Sequence, residues 1–454
     1  MISPTALATR LADHLPRQRW FGAKDRAIDL VRVTGGEMLV EGWPALYRVE
    51  VEVTTLGTPQ TPGTLGTPQT PGTGDDTAHY QLMLGLRPTG EPCEFLTGHQ
   101  PAVLGEFETD QGHALVYDAL LDPDLSLTLL ARVVPHHQAE HVRPVGAEQS
   151  NTSLVYDDAV ILKVFRRLAE GRNPEVEVTE ALAEVGFAHV AEPLGAWLAD
   201  GRDLAFAQRF LAGATEGWAM ALTSLRDLYA DPMDPAEAGG DFGAEAFRLG
   251  EVTADLHQAM AQAFGRTPGN ADEWADLMEE QIKRVLAGDI AEGARRLVAG
   301  LRDLDDAGPA LRGHGDYHLG QVLRTDTGWY VLDFEGEPAR PLAQRTRPTS
   351  PLKDVAAMLR SLAYAPMVAM ATQDENVTAL ARAWEARNRA CFLEGYFARA
   401  EDADLLPPDP AARSAVLTAF ELDKAVYEVA YEQAHRPDWV DIPTQAVAQL
   451  VRGA

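Results

Sequence analysis

Apolar and polar positions alternate along "ALYRVEVEV", residues 45–53, and again, less strictly, along "HYQLMLGL", residues 79–86. A period of two sends one set of side chains to each face, so both stretches are expected as strands packed on one side. Upstream, "MISPTALATRLADHLPRQRW" reads as an amphipathic helix, because Arg10 and Asp13 interrupt the apolar run that a secretory signal needs. Between the two strands "LGTPQTPGT" occurs twice in tandem, at 56–64 and 65–73. Gly, Pro and Thr build no core, so the duplication reads as a disordered loop, with a polyproline docking segment as the alternative.

From "PVGAEQSNTSLVYDDAVILKVFRR" the order is strand, polar turn, strand, acidic turn, strand, as at the start of a new unit. "NPEVEVTEALAEVG" follows as a helix, with Asn173 as N-cap, Pro174 at the first helical position and Gly186 as the stop. "HVAEPLGAW" and "LAFAQRFL" read as two further strands. After "EGWAMAL" the spacing is helical to about Gly300, as in "GAEAFRLGEVTADLHQAMAQAF". Short β-like pieces interrupt it between 311 and 335, and long helices return from Leu352.

At 454 residues the chain exceeds one ordinary core, so two or three structural units are expected. Acids outnumber bases 68 to 39, a net charge of -29. That excess argues against nucleic acid and against an anionic membrane surface as partners, and an anionic nucleotide needs a local cation or a metal to be held. Cys93 and Cys391 stand far apart and form no metal-binding or redox spacing, which fits a reducing interior. The longest uncharged run, near "SLAYAPMVAMATQ", is too short to span a bilayer. A soluble, cytoplasmic protein is expected.

The chemistry concentrates in "HGDYHLGQVL", residues 314–323. In a phosphotransferase catalytic loop an Asp orients and deprotonates the acceptor hydroxyl, and an amide five residues later gives a neutral oxygen to magnesium. Asp316 and Gln321 have that spacing. "WYVLDFEGEP" then delivers Asp333 to the end of a strand, where a carboxylate can hold magnesium against nucleotide phosphates. Upstream, "AVILKVF" sets Lys163 in an apolar strand, where a cation needs an anionic partner such as phosphate. Glu177 on the next helix is the natural carboxylate to hold it, with Glu175 and Glu180 as competitors. The hairpin before Lys163 lacks a glycine-rich motif, so phosphates would be covered by Gln149, Ser150, Asn151, Thr152 and Ser153 through hydroxyls, an amide and backbone N–H groups. Taken singly, each feature has a plainer reading: a zinc site for the two histidines and the aspartate, an edge-strand lysine, a Ser/Asn turn. The joint order Lys, Glu, HxDxxxxQ, LDFE favours phosphoryl transfer from ATP.

With "RQRWFG", "EQSNTS", "ILKVFRR", "HGDYHLGQVL", "DFEGEP", "SPLKDVAAMLRS" and "ELDKAVYEVAYEQAHRPDW", the sequence resembles the actinobacterial maltokinases, a branch of the aminoglycoside phosphotransferase-like kinases. The resemblance implies an α+β, bilobal protein-kinase-like fold: an N-terminal cap subdomain at 1–110, a mixed β-rich N-lobe at 111–212 and a mostly α-helical C-lobe at 213–454. It also implies ATP and Mg2+ as requirements and transfer of the γ-phosphate to the anomeric hydroxyl of maltose. The product, maltose 1-phosphate, feeds α-glucan (glycogen) synthesis in this family, together with trehalose synthase, a possible partner. On this resemblance Asp316 is the catalytic base, Gln321 and Asp333 are metal ligands, and Lys163 with Glu177 addresses the nucleotide. Lys424, Tyr427, Glu428 and Tyr431 share one helical face and are candidates for the sugar site; tyrosines in the core and charges on a solvated edge are the alternative. A kinase of glucosamine or an aminoglycoside, and a scaffold bound to trehalose synthase, remain as other readings.

Overall fold

The two period-two stretches pair as neighbouring antiparallel strands of one sheet. The computed structural model describes residues 2–24, 26–56, 76–145, 151–238, 240–337, 342–370 and 375–453; all but the first residue of the tandem repeat, and Gln149 and Ser150, lie outside them. The chain divides into two compact units, residues 1–177 with 191–212 and residues 178–190 with 213–454.

In the first unit, helix α1 (Pro4–His14) lays Leu7 and Leu11 into a core with Val49, Val51 and Tyr80. That core lines one sheet, built from β1 (Ile28–Val40), β2 (Ala45–Thr55), β3 (Asp76–Pro88), β4 (Val103–Thr109) and β5 (Gly112–Asp118) in the order β1-β2-β3-β5-β4. Helix α2 (Pro123–Val133) packs Leu125, Leu129 and Val133 against the second sheet. Its strands are β6 (Val142–Pro144), β7 (Asn151–Tyr156), β8 (Val160–Phe165), β10 (Pro193–Ala199) and β11 (Arg202–Arg209), in the order β10-β11-β8-β7-β6. A short β9 (Arg167–Leu168) pairs back to β3, and Gln81 of β3 donates its amide to the carbonyls of Phe165 (2.7 Å) and Leu204 (2.5 Å). The unit boundary falls inside α3 (Pro174–Glu184): Val176 packs on Phe165 and Phe206, whereas Val178 and Leu182 belong to the core of the second unit.

The second unit is helical: α4 (Gly217–Ala230), α5 (Gly243–Phe264), α6 (Ala271–Val285), α7 (Gly288–Ala299), α8 (Leu342–Arg345), α9 (Leu352–Ala369), α10 (Glu375–Ala400), α11 (Pro410–His435) and α12 (Asp441–Gly453). Its strands are short: β12 (Thr215–Glu216), β13 (Arg266–Pro268), β14 (Pro309–Leu311), β15 (Val322–Thr325) and β16 (Gly328–Val331), of which β12-β15-β16 form one sheet. Helices α5 and α10 lie close together through glycines. A Cβ at Gly250 would come within 2.1 Å of the Phe392 carbonyl oxygen, and one at Gly395 within 2.0 Å of that of Phe247. The close approach brings His257 of α5 against Tyr396 of α10, which bears on the site below. No helix among the described residues is long and apolar enough to cross a membrane.

Candidate active site

The loop His314–Gln321 runs from β14 to β15 and is fastened through its backbone. Asp354, in the first turn of α9, accepts the N–H groups of His314 (2.7 Å) and Gly315 (3.0 Å). The same carboxylate faces His257 Nε2 (3.2 Å), whose Nδ1 meets the Tyr396 hydroxyl (3.0 Å). Burial alone would push the Asp354 carboxyl up, but the bond to His257, the neighbouring histidines and the Gly315 amide hold it down at about 2. Gly313 is required here, since a Cβ would lie 2.8 Å from an Asp354 oxygen.

Both histidines of the motif brace the loop. His314 Nε2 donates to the Leu332 carbonyl (2.8 Å) and Nδ1 meets the Asp316 amide (3.3 Å). His318 Nδ1 accepts the Gly320 amide (3.0 Å), and burial lowers its pKa. Tyr317 is buried and shares a hydrogen bond with Thr253 (2.9 Å). Between these anchors the Asp316 side chain stays partly exposed (24%), and a proton acceptor needs that access.

Gln321 and Asp333 sit at the two ends of the β15–β16 hairpin. The Leu332 amide donates to the Gln321 carbonyl (2.9 Å), and the Gln321 side-chain amide donates to Asp333 Oδ2 (3.0 Å). Asp333 adopts φ = 60°, a left-handed backbone that Asp tolerates better than most residues and that turns the chain sharply after the strand. This bond sets the Gln321 amide directly against the Asp333 carboxylate at the open end of the hairpin.

Asp316 faces a cation. Lys424 of α11 places Nζ 3.3 Å from Asp316 Oδ1 and 3.3 Å from Glu337 Oε1, with the Tyr427 ring 4.8 Å away. Burial opposes its charge, but the Glu337 and Asp316 carboxylates outweigh it and raise the lysine's pKa. A small recess opens at this point, lined by Gly315, Glu337, Lys353, Asp423, Lys424 and Tyr427. Tyr431 continues the line, stacked on Tyr427 at 6.3 Å. Glu428 is turned to Arg360, whose guanidinium reaches it at 2.8 and 3.1 Å. The helical face expected from spacing thus exists, with Glu428 committed to an ion pair inside the protein.

In the first unit, Lys163 lies between Ser153 and Phe206 in register, and its Nζ is 2.8 Å from both oxygens of Glu175. The partner is therefore Glu175, and the expectation of Glu177 is corrected. Glu175 sits at 3% exposure on the buried side of α3, where Asn173 caps its amide (2.8 Å). Two residues on, Glu177 has turned by about 200° around the helix. Replacing Glu175 by Gln is expected to raise the KM for nucleotide by roughly tenfold through loss of one charge-assisted pair, whereas Glu177→Gln stays within about twofold; equal effects in steady-state kinetics would contradict the geometry. Of the hairpin residues, Asn151 and Ser153 are buried, and Thr152 Oγ1 accepts from Arg166 Nε (2.9 Å). Arg166 also pairs with Asp118 and lies 5.0 Å over the Trp20 ring. Sequence reasoning assigned no role to Asp354, His257, Glu337 or Arg166. All four fell in segments already singled out for other residues or for their pattern, "SPLKDVAAMLRS", "GAEAFRLGEVTADLHQAMAQAF", "DFEGEP" and "ILKVFRR".

Residues 141–401 match the model of the phosphotransferase enzyme family, and residues 14–122 match that of the maltokinase N-terminal cap domain. A glucosamine kinase from Streptacidiphilus jiangxiensis is 32% identical over 68% of this chain and 73% of its own. One from Mycolicibacterium smegmatis is 31% identical over 68% and 79%. A solved glucosamine kinase in complex with glucosamine, ADP and inorganic phosphate shares the fold over 97% of this chain and 98% of its own, at TM-score 0.64 and 23% identity. A second crystal form gives TM-score 0.66 over 98% and 99%, also at 23% identity. The chain is a member of the phosphotransferase enzyme family, in the branch that carries the maltokinase cap.

Proposed function

We propose that the chain is an ATP-dependent maltokinase that forms maltose 1-phosphate. The reading rests on one observation above the rest, the Lys424 ammonium set against Asp316. An acceptor carrying its own ammonium group beside the reacting hydroxyl meets a buried cation there, whereas maltose, which is neutral, meets a hydrogen-bond donor and two tyrosines. In the reaction, Asp316 accepts the hydrogen bond of the anomeric hydroxyl. As that oxygen bonds to the γ-phosphorus and the bridging oxygen leaves with ADP, the proton passes to Asp316. Lys163, held by Glu175, offers positive charge to the phosphates of an otherwise acidic protein. Gln321 and Asp333 would hold Mg2+, which when bound neutralises phosphate charge. On the family resemblance, the product would enter α-glucan synthesis in the cytoplasm, with trehalose synthase as partner.

A second reading, an amino-sugar kinase, is favoured by the names of the curated relatives and by Glu337 and Asp423 in the recess. Phosphorus NMR of products from ATP, magnesium and either maltose or glucosamine separates the two. An anomeric phosphate on maltose is expected, and Lys424→Met should lower kcat/KM for maltose by roughly 10- to 100-fold, the worth of one hydrogen bond to a charged group. Transfer to glucosamine with none to maltose overturns the maltose reading.

A further inference from the structure

Beyond Tyr431 the α11 face does not end. Tyr431 is the most exposed aromatic side chain of the second unit among the described residues, at 43%, and its ring continues into His435 at 4.4 Å. Arg436 lies over both Tyr431 (5.8 Å) and Trp439 (4.7 Å), and Trp439 stacks on Tyr364 of α9 at 6.3 Å. Below them Glu432 Oε1 accepts from the Tyr364 hydroxyl and from Arg436, both at 2.8 Å. The other Glu432 oxygen is enclosed and has no donor among the described residues, so this cluster is one hydrogen bond short. Arg436 commits one contact to Glu432 and is otherwise half exposed, with donors left for a ligand. Aromatic surface and a half-exposed guanidinium with donors to spare, held in place by the buried Glu432 carboxylate, together suit a polyhydroxylated, uncharged ring.

The cluster is not at the reacting hydroxyl. Lys424 and Glu432 are eight residues apart on one helix, about 12 Å of rise, which is more than a disaccharide covers when its reducing end lies at Asp316. We propose that Glu432, Arg436 and Trp439 form a further glucose subsite, so that the protein binds and phosphorylates maltotriose and longer α-glucans at their reducing end. This rests on the maltose reading above.

The test compares kcat/KM for maltotriose and maltose in the full-length wild type and in Trp439→Ala, with Trp439→Tyr as the conservative variant. The wild type should use maltotriose at least as well as maltose. Trp439→Ala should lower the maltotriose-to-maltose ratio by about tenfold, the worth of one ring contact and its hydrogen bond, and Trp439→Tyr should restore most of it. Failure of the wild type to use maltotriose while it uses maltose overturns the subsite and leaves the maltose reading standing. So does an unaltered ratio in Trp439→Ala. Transfer to glucosamine alone removes the maltose reading and the subsite with it.

Discussion

Asp316→Asn is expected to cut kcat by at least about 10²-fold, with nucleotide affinity changed less than about twofold. The substitution keeps the size of the side chain and an oxygen for Lys424, and the backbone anchors of the loop are untouched, because the Asp354 and His314 contacts involve main-chain atoms. Only the proton acceptor is lost. Titration with a fluorescent ADP and a thermal melt, run beside the kinetics, separate this from misfolding. Near-wild-type turnover with either sugar would remove Asp316 from the chemistry and leave its pairing with Lys424 as a packing feature.

Asp354→Ala should have the larger effect on the whole molecule. The carboxylate is fully buried and serves two backbone amides and His257, so its removal leaves three groups without their acceptor. Loss of one partner in such a network costs about 3–5 kcal/mol, and turnover should fall at least as far as in Asp316→Asn, because the catalytic loop loses its fastening. The isosteric Asp354→Asn distinguishes position from charge. It should recover part of the stability, and its deficit should depend on pH. The native carboxyl is held near 2, below its unfolded value of about 4, so its contribution, of order 2–3 kcal/mol, is present above pH 4 and fades as pH falls toward 2. Urea midpoints for the wild type and Asp354→Asn should therefore converge on acidification. A gap that stays constant from pH 6 to pH 2.5 would show that the charge contributes nothing.

Much of the site could be read in the sequence because its chemistry is local. Asp316 and Gln321 share one loop, and the apolar run before Asp333 announces a strand; the hairpin then brings Gln321 and Asp333 into contact. The helical spacing read in "GAEAFRLGEVTADLHQAMAQAF" corresponds to α5, Gly243 to Phe264, although the spacing alone sets no boundary. The choice between Glu175 and Glu177 was not legible, because both lie in the first turn of α3, and its rotation is set by Val176 packing on Phe165 and Phe206, which are distant in sequence. Asp354 escaped assignment for a different reason: it acts on backbone N–H groups 39 and 40 residues earlier, and a backbone group leaves no signature in the residue it belongs to. Nor could a linear reading show that residues 178–190 belong with the helical unit. Val178, Leu182, Phe187 and Val190 have no period that marks which core receives them.

The 2.8 Å that a side chain at position 313 would leave to the Asp354 carboxylate restricts how this protein can drift. Alanine at 313 is blocked while Asp354 stands, and a smaller residue at 354 opens room for that alanine only after the loop has lost its anchor. Each step costs stability when taken first, so the two positions constrain each other. Mutational libraries made one codon at a time should show strong depletion at both positions, with Asn best tolerated at 354, whereas a library that randomises 313 and 354 together can reveal alternative ways of holding this loop.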